Sequence, residues 1–371
     1  MRVLFLQRQP CVRALKYAVG LRGAWPELKL GFAYQGRTLT EFYGSGDELF
    51  DGWWDLGQDA QPTDALQAVF DDFQPDLIHS HNLPDVLTVL ALDLVGDAIP
   101  LVHDIHDLQS LRHTPYRDGF PEPIGPLDLE RAAIEGASAL ITVSPELVDV
   151  VRAQYELPDR TLVLGNLALR RDRIVDLPER ADGGHPLTMV YEGSLSTDGS
   201  HYDLRELFRG IALTGLSVAI HPSRPAPDYE ALSAEWPNVH CHEPLDPATL
   251  MRTIPKYDLG WAGFNSTLNA AHLDTVLPNK LYEYLGAGLP VVTLHEHLAL
   301  RRFVEREGVG VVLDDIADIG DALHDLDMAS LRRAVAGKRH RFTFEAQIGQ
   351  VIDLYRDLIG LQRPVGSVAG G

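Results

Sequence analysis

Along most of this chain, short apolar runs alternate with segments whose apolar residues recur at helical spacing. In the first half the runs predict strands at Val3–Gln7, Leu28–Ala33, Asp76–His79, Ile99–His103, Ala139–Val143 and Thr161–Leu164. Helices are predicted over Val12–Leu21, within Gln58–Phe73, and over Asp85–Val95 and Leu127–Glu135. Another helix starts at Ser144-Pro145-Glu146, where a cap residue precedes a proline suited to the first turn. A polar loop with several prolines covers Gln109–Pro126.

Charged, glycine-rich sequence (RRDRIVDLPERADGGHP, Arg170–Pro186) breaks the pattern, and a domain boundary belongs there. The alternation then restarts, with strands at Leu187–Tyr191, Ser217–His221, Asn238–His242, Asp258–Trp261, Val291–Val292 and Gly310–Leu313. Helices are predicted over Tyr202–Leu213, Tyr229–Ala234, Pro247–Ile254 and from Pro278. Arg341–Leu361 is a long amphipathic segment read as the last helix, and Val365–Gly371 is expected to be disordered. The fold class is therefore α/β: two tandem doubly wound, Rossmann-like domains, residues 1–170 and 186–340, each with a parallel sheet covered on both faces. Two such domains imply a cleft, and in such sheets ligands sit beyond the carboxyl ends of the strands.

Charge narrows the partners. Lys+Arg 32 against Asp+Glu 53 gives a net −21. Such a surface repels nucleic acid and anionic lipid, so neither is expected as a bulk partner; a local patch at Arg170, Arg171 and Arg173 stays open. Lysine occurs only at Lys16, Lys29, Lys256, Lys280 and Lys338, which makes Lys280 stand out. The two cysteines, Cys11 and Cys241, fall in different predicted domains, so no disulfide framework is expected and a reducing cytosol fits. No apolar run reaches membrane-spanning length, and MRVLFLQRQP is too short an apolar start for a signal peptide. A soluble, cytoplasmic protein is expected.

Candidate chemistry concentrates in Pro278–Thr293, PNKLYEYLGAGLPVVT. It reads as a helix that opens on a proline, ends at Gly286 and Gly288, and runs into a buried strand after Pro290. Free amides at a helix start beside Asn279 and Lys280 form an anion site. Glu283, one turn on, can accept hydrogen bonds from a diol such as a ribose. Together these suit a nucleoside diphosphate; the plain alternative is a surface helix with an ordinary glutamate. Two strand ends are rich in histidine, His79-Ser80-His81-Asn82 and His103-Asp104-Ile105-His106-Asp107. His79 and His81, if both still in a strand, are expected to point to opposite faces. Catalytic zinc needs three convergent ligands, so no metal site is assigned.

These motifs resemble the GT-B retaining glycosyltransferases of the group 1, family 4 kind, over nearly the whole chain. The E-Y-L-G-A-G-L-P-V-V run matches the family's donor segment, and the resemblance implies that Glu283 binds the donor's ribose beside Asn279, Lys280 and Leu281. P-L-V-H-D-I-H-D-L resembles the segment near the donor sugar, which makes His106 and Asp107 the catalytic candidates; the alternative is that these histidines only hold loops. Leu129–Ser144, with Glu130, and Asn166 match positions read as structural. Gly193 matches the glycine of a phosphate loop, but Ser194 stands where the family has arginine, and no lysine follows. Lys280 and the helix amides would then supply the charge, with Ser194 and Ser196 as neutral donors and Arg205 or Arg224 as further cations. Thr275 stands in place of a second glutamate. Glu243, Pro244 and Leu245 match the loop bordering the nucleotide base, and the segment 341–362 is expected to return to the N-terminal domain.

The resemblance implies transfer of a sugar from a nucleoside diphosphate sugar to an acceptor hydroxyl, with retention, without a cofactor or a metal. The acceptor is expected to be a glycan or small molecule in polysaccharide biosynthesis, with no nucleic-acid partner and no membrane association expected. Two rival readings stay open, a GT-B nucleotide-sugar epimerase and a non-catalytic nucleotide-sugar binder or partner subunit.

Overall fold

The computed structural model describes residues 1–8, 10–36, 47–113, 120–172, 186–265, 269–324 and 326–360. The chain divides into two compact units. One comprises Met1–Val143, Val148–Leu164 and the segment from Phe344 on; the other comprises Ser144–Leu147 and Gly165–Thr343.

The first unit is built on seven parallel strands: β1 (Arg2–Gln7), β2 (Lys29–Tyr34), β3 (Gly52–Asp55), β4 (Leu77–His81), β5 (Leu101–Ile105), β6 (Ala139–Thr142) and β7 (Thr161–Val163). Their order is β3-β2-β1-β4-β5-β6-β7, so the direction of winding reverses between β1 and β4. Strands covered on both faces need near-continuous apolar sequence, and Val3–Leu6 and Leu77–Ile78 are accordingly fully buried. The helix Val12–Ala24 packs against the final helix, Phe344–Leu358. Gly20 permits the contact, since a β-carbon there would come within 3.2 Å of Ile348.

The second unit repeats the plan with six parallel strands: β8 (Thr188–Gly193), β9 (Ser217–Pro222), β10 (Val239–Cys241), β11 (Leu259–Trp261), β12 (Val291–Leu294) and β13 (Gly310–Leu313). Their order is β10-β9-β8-β11-β12-β13, with the reversal between β8 and β11. One face is sealed by Met189, Tyr191, Phe208, Ile211, Val218, Ile220 and Trp261. Gly260 lets the other face accept a helix: a β-carbon there would lie 2.3 Å from the Tyr284 ring. The Tyr284 hydroxyl then takes the Glu192 N–H at 2.8 Å.

The expected α/β architecture of two doubly wound units is present. Several elements differ in detail. The strand β3 and the helices Leu298–Glu307, Ile319–His324 and Met328–Lys338 lie where none is expected from the sequence. β4 runs on through His81 and β5 through Ile105, so His79, His81, His103 and Asp104 lie within strands rather than after them. Pro278 is the cap residue rather than the first residue of its helix. Arg173, most of the predicted boundary segment and the tail Val365–Gly371 lie outside the described residues. Among the described residues no helix is long and apolar enough to cross a membrane. Neither Cys11 nor Cys241 is in a disulfide.

Candidate active site

In the C-terminal unit the helix Asn279–Gly286 starts after Pro278, whose extended backbone sets the entry. Two side-chain bonds fix the preceding segment: the Ser144 hydroxyl donates to the Thr275 carbonyl at 2.6 Å, and the Asn166 amide to the Leu277 carbonyl at 3.1 Å. The same Ser144 oxygen accepts the Leu147 N–H at 3.0 Å, which makes it a helix cap as well.

Lys280 is only 7 % exposed. Its ammonium lies 4.3 Å from the centroid of Tyr191, 5.0 Å from that of Phe264 and 6.0 Å from that of Tyr202, a cation enclosed by ring faces. It donates to the Tyr191 hydroxyl at 3.2 Å, and that hydroxyl donates to the Ser194 carbonyl at 2.6 Å. Gly193 turns the chain here with φ 128°. A β-carbon at Gly193 would lie 3.9 Å from Lys280 Nζ, so the ammonium sits against the turn that ends β8. Burial lowers the lysine's pKa to about 8, while Glu192 and Glu283 pull it the other way. The structure thus brings Gly193, Ser194 and Lys280 together. Asn279 and Glu283 share the helix, with Glu283 half-buried. Leu281 is fully buried and its N–H bonds to the Pro278 carbonyl at 3.2 Å, so it offers this group no polar atom.

The two arginines considered as further cations part ways. Arg205 is committed to Asp203 through bonds of 2.9 Å and 2.7 Å and to the Thr197 carbonyl at 3.0 Å. Arg224 is exposed in the turn after β9, where the neighbouring Ser223 N–H bonds to the Gly193 carbonyl at 2.9 Å. Glu243, Pro244 and Leu245 follow β10, and β9 separates β10 from β8, a lateral span of roughly 10 Å.

In the N-terminal unit His106 follows β5 and is half-buried. Its Nε2 lies 2.8 Å from the Asn82 carbonyl, so Nε2 carries the proton. Its backbone N–H donates to Asn82 Oδ1 at 3.1 Å, and the Asn82 amide donates to the Asp107 carbonyl. Asn82, not singled out in the sequence, therefore holds both catalytic candidates, leaving His106 Nδ1 as an acceptor. Burial lowers the His106 pKa against the pull of Asp104 and Asp107, so the ring is neutral at pH 7.

Behind it lies a buried polar group. Asp104 pairs with Arg13 at 2.9 Å, and Arg13 also donates to the Tyr17 hydroxyl at 3.2 Å and the Leu164 carbonyl at 2.8 Å. Burial would raise the Asp104 pKa, but Arg13, with His79, His81 and His106, holds it well below the usual range. The rings of His79 and His81 stack at 4.7 Å with 6° between planes. This corrects the expectation that they face opposite ways: two residues apart on a strand share a face. His79 Nδ1 bonds to the Tyr355 hydroxyl and His103 Nδ1 to the Ser80 hydroxyl at 2.9 Å, with Asp85 Oδ1 lying 3.3 Å from His103 Nε2. Cys11, His81 and His106 offer metal-type atoms within 4.8 Å of one another. A second such group, His79, His81 and Asp104, is fully buried, and its carboxylate is already paired with Arg13.

Two tandem doubly wound units, with parallel sheets of seven and six strands, are the GT-B architecture. Residues 16–166 match the glycosyl transferase 4-like domain, and residues 216–348 the glucosyltransferase 3-like C-terminal domain. The chain belongs to the GT-B glycosyltransferases of group 1. No curated protein matches its sequence. Among solved structures, sucrose-phosphate synthase from Thermosynechococcus elongatus is similar over 97 % of this chain and 100 % of that one, at 15 % identity and TM-score 0.68. A glycosyltransferase from Rickettsia africae covers 96 % of this chain and 98 % of its own, at 8 % identity and TM-score 0.68. A UDP-GlcNAc 2-epimerase from Neisseria meningitidis covers 96 % of this chain and 100 % of its own, at 14 % identity and TM-score 0.58. At these identities the structures speak for the fold alone.

Proposed function

We propose that this glycosyltransferase takes a nucleoside diphosphate sugar on its C-terminal unit and passes the sugar to an acceptor hydroxyl, with retention and without a divalent metal. The observation that carries the reading is the buried Lys280 ammonium against the Gly193 turn, on the first turn of a helix, with Glu283 one turn further. A cation desolvated in this way stabilises charge on a departing diphosphate more strongly than an exposed one. The first-turn amides add donors, and Arg224 supplies the second positive charge that Arg205 cannot. Glu283 accepts the ribose hydroxyls. His106, held by Asn82 with Nδ1 open, accepts a hydrogen bond from a hydroxyl of the sugar or acceptor. An acceptor in polysaccharide assembly and a cytoplasmic location rest on the family resemblance.

The test is nucleotide release from UDP-, GDP-, ADP- and dTDP-sugars, with and without EDTA, for the wild type and Glu283→Ala. Turnover of one donor is expected, unchanged by EDTA and reduced in the variant, with NMR showing the donor's anomeric configuration in the product. A requirement for added metal, or an inverted product, would overturn that part of the reading. Donor binding without release in the presence of mixed acceptors would favour a non-catalytic binder.

A further inference from the structure

We propose that Cys11, His81 and His106 form a binding site for a soft divalent cation of the zinc class, and that its occupancy switches off sugar transfer. The second half rests on the reading of His106 as a group that meets the sugar or acceptor. Three neighbouring strands supply the ligands at their carboxyl ends. Cys11 follows β1, His81 ends β4 and His106 follows β5, with β4 paired between the other two. The winding reverses here, where a doubly wound sheet opens to ligands. One ligand-type atom from each residue lies within 4.8 Å of those of the other two. Cys11 is the cap residue of the helix Val12–Ala24, and its N–H is held by Gln7 Oε1 at 3.1 Å.

His81 is 2 % exposed, yet neither of its ring nitrogens has a hydrogen-bond partner among the described residues; Asp104 lies 3.8 Å from Nδ1. A buried imidazole in that state costs free energy, which a bond to a metal offsets. Its ring centroid is 5.8 Å from that of His106. His106 donates from Nε2 to the Asn82 carbonyl at 2.8 Å, so Nδ1 is the lone pair it offers. A backbone acceptor on the other nitrogen is how metal-bound histidines are oriented. Cys11 and His106 are half-buried, so a cation enters past them to reach His81. Thiolate and imidazole select zinc-class cations over magnesium, which prefers oxygen. As the cation binds, the Cys11 thiol releases its proton to solvent and the sulfur–metal bond forms, while each neutral imidazole gives a lone pair. Three protein ligands leave a fourth position for water. The bound cation takes His106 Nδ1, the atom that accepts the substrate hydroxyl in the proposed reaction, so transfer stops.

The test titrates cobalt(II) into EDTA-treated, reduced wild type, Cys11→Ser and His81→Gln, followed by absorption. Zinc is titrated in parallel into the turnover assay with the donor that the wild type uses. One cobalt per chain is expected, with a thiolate-to-metal charge-transfer band that Cys11→Ser abolishes and a Kd that His81→Gln weakens by about tenfold or more. Serine keeps the helix cap, so Cys11→Ser should fold and turn over as the wild type does. It should need about tenfold or more zinc for half-inhibition. Absence of the band in the wild type would overturn the site, as would equal zinc sensitivity in the wild type and Cys11→Ser. A filled site with undiminished turnover would keep the cation and overturn the switch. Absence of turnover with every donor would sink the transferase reading, and the cobalt titration would still decide the site.

Discussion

At the scale of single residues, Lys280 is the sharpest prediction. In the proposed donor site its charged form is the one that would meet a diphosphate, and burial has brought its pKa down to about 8. The ammonium is therefore largely present at pH 7 and lost as the pH rises through that value. The free enzyme's groups govern kcat/KM, so its pH profile should fall on the alkaline side with an apparent pKa near that of the lysine. Lys280→Arg, which keeps its charge at any working pH, should move this limb upward even if it lowers the plateau. Lys280→Met should remove about 1.5–3 kcal/mol of nucleotide affinity, roughly ten- to a hundred-fold in Kd, as for a hydrogen bond to a charged group. Arg224→Ala should cost less, because the side chain is exposed and screened, and its loss should shrink further at high salt. An alkaline limb that persists in Lys280→Arg would assign it to another group.

The secondary elements are tied together by buried polar pairs, and the Arg13–Asp104 pair joins the helix Val12–Ala24 to β5. Asp104 is fully buried, so Asp104→Asn leaves an arginine uncompensated in the interior and should cost about 3–5 kcal/mol in urea unfolding. The pH dependence has a definite sign. The folded Asp104 pKa lies well below the ordinary value, so its stabilising contribution is present above that ordinary value. It is lost as the pH falls below about 4 toward the folded pKa. Wild-type stability should decline over that range, and Asp104→Asn should be flatter there. Arg13 and Asp104 also show how far the sequence could be read. Apolar runs such as Val3–Gln7 announced strands and the doubly wound class followed, but nothing local marks a pair 91 positions apart. β3, only Gly52–Asp55, is too short for a periodic signal and carries two tryptophans instead of an aliphatic run. The helix Leu298–Glu307 hides its apolar stripe among arginines and glutamates. At the proposed site, Lys280 and Gly193 could be singled out because helix-start and turn chemistry are local, and the structure sets them side by side. Asn82 and Tyr191 could not, because each acts through a partner brought in from another segment of the chain.

Across the whole molecule, the chain leaves the first unit, builds the second and returns: Phe344–Leu358 belongs with Met1–Val143. The return is not a loose tail. Phe344, Ile348, Val351, Ile352 and Tyr355 form its buried stripe, and Tyr355 reaches the His79 imidazole within the N-terminal unit. Burial raises the Tyr355 pKa well above the ordinary phenol value, so the hydroxyl stays a donor and the neutral His79 ring accepts from it. Tyr355→Phe keeps the ring and removes the donor, leaving a buried imidazole nitrogen short of a partner at a cost of about 1–3 kcal/mol. Tyr355→Ala also opens a cavity and should cost about 3–5 kcal/mol. Because Tyr355 and His79 lie in one unit and Lys280 in the other, both variants should bind the donor nucleotide with wild-type Kd while unfolding at lower urea concentration. A variant that loses nucleotide affinity in proportion to its stability would show instead that the returning helix supports the donor site, and that the two units do not act independently in this respect.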